Sequence, residues 1–512
     1  MNKLMVTAAF AALSSAALAD VSVTGIFTDN MVLQRGKPIS VCGKANPGEA
    51  VTVTYNGRKA TAKASKEGLF KAILPALAVE KEGKELVVSG KNKVVFRNVV
   101  VGDVWLVSGQ SNSEMTFGWG ILNGEAEKAK AKDYPNIRQI KFNHVTSPFP
   151  IVCEPCNQGG WKVATAETLN GITAEGYFMA REINAKTGIP IGILDDNWSG
   201  CRIEPFVCEE GLKTVPAFKS EHEKLIAARE QVAEWCCKVA ALKAKGDTAY
   251  GKVGPMPEPP QWSLQHNAMI EPIVNFPICG ATWYQGCSNG DEGMTYVSKL
   301  EALIAGWRAK WGYDFPFYIV QLASFTAKTT DPAGGNGYAR IRNAMRIAAQ
   351  TIPKTGLAVA IDIGNADDIH PKNKYDVGYR LSLWALRDVY GMKDLVVSGP
   401  LYKGLKIEDD KARVSFDYVG SGLFAGEKGP DTPGVKPTAT PDGKLRGFAI
   451  AGADRQWHWA DAVIDGKDVV VSAKEVPAPI AVRYAFRANP MGDCNLYNKE
   501  GLPASPFRTD DW

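Results

Sequence analysis

Between residues 101 and 394 the chain alternates short apolar runs with helical patterns. The runs read DVWLVSG, IRQIKF, IPIGILDDN, ICGATWYQG, FPFYIVQLA and TGLAVAIDIG. They do not alternate apolar with polar residues, as expected for strands buried on both faces. Strand and helix in alternation predict an α/β fold with a doubly wound parallel sheet, whose ligands bind at the carboxyl ends of the strands. Residues that directly follow the runs are therefore the site candidates.

The segments on either side of this region have a different pattern. Residues 20–100 contain runs of period-two alternation and the turn Asn56-Gly57, which predict a small antiparallel β-sandwich. Residues 395–512 return to β patterns such as ARVSFDYV and DVVVSA, and predict a C-terminal β domain. Residues 207–265 interrupt the α/β alternation with a long amphipathic helix and the linker PMPEPP. This insertion is either a substrate lid or a packing element.

The N-terminal segment, residues 1–19, has the pattern of an export signal. Lys3 provides a positive charge, an apolar run follows, and Ala17-Leu18-Ala19 is a cleavage pattern. The apolar run is too short to span a bilayer. We therefore expect a mature chain that begins near Asp20, is periplasmic or extracellular, and is free of the membrane.

Composition excludes several classes of protein. Apolar residues make up 45% and charged residues 22% of the chain, which disfavours disordered and membrane classes. The net charge is +4 and no long Lys/Arg block occurs, so a nucleic-acid partner is not expected. Cys153 and Cys156 form either a local disulfide or two thiols, and neither cysteines nor histidines have the spacing of a zinc site.

Two loops that follow predicted strands carry the residues of an acyl-transfer centre. Ser111 follows DVWLVSG on a tight strand-to-helix turn, although serines in such turns also serve simply as helix caps. His370 follows TGLAVAIDIG, and Asp367 stands three residues before it. That aspartate can accept from the imidazole Nδ1–H and leave Nε2 facing a serine. The alternative is a surface turn that precedes a helix.

Two further loops offer donors for an oxyanion. DNWSGC, residues 196–201, follows IPIGIL, and WYQGCSN, residues 283–289, follows ICGAT. Backbone N–H groups near a glycine and a neutral amide side chain are the groups that an oxyanion hole needs. Four such loops at one edge of a sheet predict a functional site rather than a set of ordinary turns.

These loops together resemble the sialate O-acetylesterase family, a branch of the SGNH/GDSL hydrolases. The family pattern is approximately G-D-V-W-L-x-S-G-Q-S-N-M, W-G-G-T-x-I-E, W-Y-Q-G-E-S-N and D-I-H-P-x-N-K-x-x-V-G-x-R-L. This chain has GDVWLVSGQSNS, WSGCRIE, WYQGCSN and DIHPKNKYDVGYRL in the same order. FTDNMVLQR near the start and NLYNKEGLPASPFRTDDW at the end extend the likeness over nearly the whole chain.

The resemblance implies an SGNH-type three-layer fold and a serine esterase that removes acetyl groups from sugars. Ser111 is then the nucleophile and His370 its general base. Asp367 is our choice for the acid that orients His370, although Asp368 holds the more regularly acidic position in the family. A dyad of Ser111 and His370 alone is the third alternative. The mechanism that the family implies needs no metal or cofactor.

The same resemblance implies three donors for the oxyanion. They are the Ser111 N–H, the backbone at Gly200 and the side chain of Gln285, with the Asn289 amide as an alternative. The chain departs from the family pattern close to these donors, at positions Ser113, Ser199, Cys201 and Cys287. These departures put the substrate in doubt more than the fold.

The expected substrate is an acetylated carbohydrate, first of all 9-O-acetyl sialic acid. Acetylxylan or another acetylated polysaccharide is the alternative substrate. A hypothesis from another class is a carbohydrate-binding protein whose hydrolytic centre has decayed. Trp119, Trp198 and Trp283 either stack on sugar rings or are packing aromatics.

Overall fold

A computed structural model of the chain describes residues 20–152, 154–245, 253–259 and 261–512. The predicted export signal lies outside these residues, and so does Cys153, for which a disulfide with Cys156 and a free thiol were the two alternatives. Within the described ranges, every helix is too short or too polar to cross a membrane.

The N-terminal part of the molecule consists of β strands. Strands β1, β3 and β6 form one antiparallel sheet, while β4 pairs with β5 and β7, and β7 pairs with the start of β8. The predicted Asn56-Gly57 turn joins β4 to β5, and both of its residues have positive φ. The bounds are β1 Ser22–Val23, β2 Val32–Gln34, β3 Ile39–Lys44, β4 Ala50–Tyr55, β5 Arg58–Lys63, β6 Leu69–Leu74, β7 Glu80–Ser89 and β8 Lys93–Gly109.

Strand β8 is 17 residues long and continues from these strands into the centre of the molecule. It crosses residue 100, where the sequence pattern predicts a domain boundary. The division of the chain into domains therefore stays a prediction.

The predicted parallel strands form one sheet at the centre of the fold. Their order is β10-β9-β11-β8-β12-β13-β14, and all neighbours run parallel except the edge strand β10. The first predicted run, DVWLVSG, is the last part of β8, and each of the other five predicted runs contains one strand of this sheet. The bounds are β9 Ile137–Lys141, β10 Lys162–Val163, β11 Ile191–Asn197, β12 Gly280–Tyr284, β13 Phe317–Val320 and β14 Thr355–Ala358.

Helices follow these strands at the predicted places. Helix α3 packs against α8, and α6 packs against α4 and α7. The long helix of the predicted insertion is present as α5. The bounds are α1 Ser111–Glu114, α2 Gly124–Lys130, α3 Ala174–Thr187, α4 Glu209–Thr214, α5 Lys219–Ala244, α6 Thr295–Trp311, α7 Gly337–Thr351 and α8 Lys374–Asp388.

The C-terminal part returns to antiparallel strands, as predicted. It is tied to the central fold by the buried Arg342 of α7, which donates to the carbonyls of Leu322 and Ala488. The molecule is thus mixed α/β, with a large mixed sheet and several antiparallel sheets. The bounds are β15 Leu401–Glu408, β16 Lys411–Asp417, β17 Leu423–Glu427, β18 Thr438–Ala439, β19 Phe448–Ala451, β20 Trp457–Trp459, β21 Asp461–Asp465, β22 Asp468–Ser472, β23 Ala481–Tyr484, β24 Leu496–Asn498 and β25 Phe507–Arg508.

A buried ion pair supports the end of the sheet from which the His370 loop departs. Asp362 accepts two hydrogen bonds from Arg380 of α8, at 2.7 and 2.8 Å, and both side chains are buried. We predict that Asp362→Ala destabilises the fold by about 3–5 kcal/mol, because it leaves a buried guanidinium without its partner. The exposed pair of Asp442 and Arg446 provides the control, and Asp442→Ala should cost no more than about 1 kcal/mol. Chemical denaturation of both variants measures the difference, and equal midpoints would contradict the prediction.

Candidate active site

The turn that presents Ser111 requires a glycine. At Gly109, the last residue of β8, φ is +145°, and a Cβ there would lie 2.3 Å from the carbonyl oxygen of Tyr284. Only glycine tolerates both this conformation and this approach. The chain leaves the sheet at Gly109 and starts the short helix α1 at Ser111. The nucleophile candidate thus lies at the carboxyl end of the central strand, as predicted.

Hydrogen bonds join the Ser111 turn to the loops after both neighbouring strands. The Trp198 N–H, after β11, donates to the Gly109 carbonyl at 3.1 Å. On the other side, the Gln110 side-chain oxygen accepts from the Gly286 N–H at 3.0 Å, after β12. Three of the four predicted loops therefore meet around one turn.

The fourth loop brings the imidazole to the serine. Nε2 of His370 lies 2.9 Å from Oγ of Ser111, although 259 positions separate the two residues along the chain. Asn112 holds the two loops together, because its side-chain N–H donates to the Ile369 carbonyl at 3.0 Å. The buried Lys374 in turn donates to the side-chain oxygen of Asn112 at 2.6 Å. Asn112 was not among the predicted site residues, although it directly follows the serine.

The structure corrects the predicted orienting acid. Oδ1 of Asp368 lies 3.3 Å from Nδ1 of His370 and also accepts the backbone N–H of His370 at 2.8 Å. Asp367 is exposed, and its own N–H donates to the side chain of Asn365. An aspartate two residues before a histidine folds back onto the backbone in a short turn. Asp368, not Asp367, is therefore the carboxylate beside the imidazole.

The environment of His370 favours the neutral imidazole. Burial lowers its pKa below the ordinary value of 6.5, the Asp368 carboxylate opposes this shift, and the nearby Lys374 and Lys372 add to it. Burial would raise the pKa of Asp368, but the His370 N–H and the Lys372 ammonium outweigh burial and lower it. At neutral pH the imidazole can accept a proton while the carboxylate stays charged.

Glu114 holds the loop of the second oxyanion candidate. Its carboxylate accepts the Ser199 N–H at 2.9 Å and the Ser199 hydroxyl at 2.6 Å. Gly200 follows in an exposed turn with φ of +75°, and no acceptor within the described part of the chain takes its N–H. The N–H of Ser111 begins α1, where a helix leaves its N–H groups without partners. Both predicted backbone donors are thus available.

The structure contradicts the predicted role of the Gln285 side chain. Its amide nitrogen donates to the Cys201 carbonyl at 3.1 Å and to Oδ1 of Asn289 at 2.8 Å. Its oxygen accepts from Tyr296 at 2.6 Å, and the residue is fully buried. The two N–H groups of the amide are therefore committed to structure rather than to an oxyanion.

The alternative donor, Asn289, is committed as well. Its amide nitrogen donates to Glu204 at 3.1 Å and to Glu292 at 3.0 Å, and the residue is buried. Gln285 and Asn289 together stabilise the loop that carries Gly200, through their bonds to Cys201 and Glu204.

Three of the residues at which the chain departs from the family pattern, Ser113, Ser199 and Cys201, form hydrogen bonds near the Ser111 turn. The Ser113 hydroxyl donates to the buried carboxylate of Glu175, and the Ser199 hydroxyl donates to Glu114. The Cys201 thiol lies 3.5 Å from the Gly109 carbonyl. Burial raises the pKa of the Cys201 and Cys287 thiols, so both stay protonated at neutral pH.

A serine in contact with an imidazole at the carboxyl edge of an α/β sheet is the arrangement that acyl-transfer hydrolases use. The chain is 28% identical to sialate O-acetylesterase of Mus musculus, over 94% of this chain and 93% of that protein. It is 26% identical to the sialate O-acetylesterase of Homo sapiens, over 94% and 90%. No protein-family model matches the sequence.

A solved structure covers almost the whole fold. It is the crystal structure of a novel carbohydrate acetylesterase from Xanthomonas citri, with 36% identity and a TM-score of 0.79. The likeness covers 96% of this chain and 100% of that chain. The chain belongs to the sialate O-acetylesterase family, as its motifs predict, and is a carboxylic ester hydrolase.

The surroundings of His370 predict the pH dependence of catalysis. If the neutral imidazole is the base, kcat/KM falls only as pH drops through the lowered pKa of His370, so half-maximal activity lies below pH 6.5. Asp368→Asn removes the charge that raises this pKa, so the midpoint should move lower still, and kcat should fall at least tenfold as the imidazole loses its orientation.

The neighbouring Asp367→Asn is the matched control for this prediction. It removes the same charge from the adjacent residue, which is exposed and does not contact the imidazole. Its pH profile and kcat should stay close to those of the unmodified enzyme. Identical profiles for the two variants would contradict the assignment of Asp368.

Proposed function

We propose that the chain is a carbohydrate O-acetylesterase in which Ser111 is the nucleophile and His370 the general base. The observation that carries this proposal is the 2.9 Å contact between Oγ of Ser111 and Nε2 of His370. The names of its relatives support the substrate class, because they are sialate O-acetylesterases and a carbohydrate acetylesterase. The conversion takes place in two steps.

In the first step, Ser111 Oγ attacks the carbonyl carbon of the acetyl ester while Nε2 of His370 takes the hydroxyl proton. The tetrahedral intermediate then collapses, the bond to the sugar oxygen breaks, and His370 gives its proton to that oxygen. In the second step, His370 takes a proton from water, which attacks the acetyl-enzyme. Acetate leaves, and the proton returns to Ser111.

Negative charge develops on the carbonyl oxygen in both tetrahedral intermediates. The N–H groups of Ser111 and Gly200 are the donors that we assign to it, and both are backbone groups that need no reorganisation. Glu114 is a positioning residue, since its two bonds to Ser199 fix the turn that presents Gly200. Asp368 orients the imidazole and stabilises its protonated form.

Two finer features belong to the same proposal. We assign the core to the three-layer SGNH arrangement; support comes from the parallel order of the central strands and from the Xanthomonas structure. We also propose that residues 1–19 export the chain.

We propose 9-O-acetyl sialic acid as the substrate to test first, because the curated relatives are named for sialate esters. Acetylxylan is the alternative. At this edge Arg202 is already bound to two carboxylates, those of Glu204 and Glu292, so it does not offer a free guanidinium to the carboxylate of a sialic acid.

A substrate panel tests the proposed function. The mature chain should release acetate from at least one of 9-O-acetyl sialic acid and acetylxylan, and Ser111→Ala should lower kcat by about 10⁴-fold or more. The exposed Ser421, in the C-terminal part of the chain, supplies a control whose change to alanine should leave the rate unchanged. Binding of both sugars without acetate release would support the decayed carbohydrate-binding protein instead.

A further inference from the structure

Trp119 stands out among the tryptophans near the site because its side chain is exposed. It is 41% exposed, and its ring contacts the imidazole of His370 edge-on, with 5.7 Å between the ring centroids. Trp283, by contrast, is fully buried, so its predicted alternative role as a packing aromatic is the one that the structure supports. Trp198 is half-buried and stacks on His144 at 4.8 Å. Trp119 is the indole of these three with most surface left to a ligand.

The reaction fixes where the sugar must lie relative to this indole. His370 protonates the oxygen of the departing sugar, so that oxygen must come within hydrogen-bond reach of Nε2. In acetylxylan the sugar ring is bonded directly to that oxygen, whereas in 9-O-acetyl sialic acid the exocyclic side chain of the sugar joins the two, so in both substrates the departing sugar extends outward from that oxygen. The indole of Trp119 contacts the same imidazole and is therefore within reach of a sugar bonded to that oxygen.

The backbone holds Trp119 in place before any ligand binds. The Trp119 N–H donates to the Thr116 carbonyl at 3.0 Å within a tight turn. Phe117 of the same turn is buried against Tyr177 and Phe178 of α3, at 5.3 and 5.4 Å between ring centroids. A turn that is anchored on its buried side loses little conformational entropy when a ligand covers its exposed side.

The turn is also tied to the loop of the proposed base. The Leu122 N–H, three residues after Trp119, donates to the Lys372 carbonyl at 3.1 Å, two residues after His370. The indole and the imidazole therefore keep a fixed relation to each other.

We propose that the Trp119 indole is the binding subsite for the pyranose ring of the departing sugar. The ligand is a pyranoside whose C–H face packs on the exposed indole while its ester oxygen faces His370. Large aromatic side chains bury apolar ligand surface at low entropic cost, and the covered indole also keeps water away from the imidazole before acylation. The subsite rests on the proposed function, because it assumes that the departing alcohol is a sugar.

The test compares a substrate with a sugar ring to one without. For the unmodified chain and each variant, kcat/KM is measured on 9-O-acetyl sialic acid, on acetylxylan oligosaccharides and on ethyl acetate. The ratio of the sugar value to the ethyl acetate value should fall about tenfold in Trp119→Ala, mainly through KM, because the lost contact is made to the sugar. Trp119→Phe keeps an aromatic face and should restore most of the ratio.

Trp459 is the matched control because its side chain is 42% exposed and lies in β20 of the C-terminal strands. Trp459→Ala should keep the unmodified ratio. An unchanged ratio in Trp119→Ala, with acetylated sugar still hydrolysed, would overturn the subsite and leave the proposed function intact. If the unmodified chain hydrolyses ethyl acetate but neither sugar ester, the proposed function fails and the subsite fails with it.

Discussion

The site depends on the register of β8 between β11 and β12. Gly109 of β8 is paired with Asn197 on one side and with Tyr284 on the other, so three strands end at the same level. Each of the loops that follow can then contact the Ser111 turn by hydrogen bonds from its first residues. A shift of one residue in β8 would move Ser111 along the sheet and turn its side chain to the other face. Either change, the displacement or the turn to the other face, would break the contact between Ser111 and His370.

Buried polar groups stabilise this arrangement from beneath. Glu175 accepts from Ser113, and Lys374 donates to Asn112, so the two residues that follow Ser111 are both held by titratable side chains in the interior. Burial raises the pKa of Glu175 and lowers that of Lys374. Such groups are costly to bury unless their hydrogen bonds are made. They therefore specify one conformation of the Ser111 turn, and the serine at position 113 fits it.

Much of the fold, and the contact between Ser111 and His370, could be predicted from the sequence. The central strands are runs of buried residues with helices between them, and this pattern depends on local composition alone. Ser111 and His370 each follow such a run, so the parallel order of the strands was sufficient to bring them to one edge. The orienting acid was predicted wrongly, because two adjacent aspartates differ only in how the turn directs their side chains.

The role of Gln285 could not be predicted for a different reason. Its amide is bound by the Cys201 carbonyl, 84 positions away in the sequence, and by Asn289 and by Tyr296 of α6, which are 4 and 11 positions away. Local sequence identifies an amide near a glycine, but it does not show which distant groups already occupy that amide. The same limit applies to Glu114, which follows Ser111 closely but binds a loop 85 positions away.

The central claim is that Ser111 is the nucleophile and that His370 activates it. Diisopropyl fluorophosphate, which reacts with activated serines, tests this claim through mass spectrometry of the labelled chain. We expect one adduct, on Ser111, that forms in proportion to the loss of esterase activity and at least a hundredfold more slowly in His370→Ala. Full loss of activity with the adduct on another residue, or an adduct on Ser111 with activity retained, would contradict it.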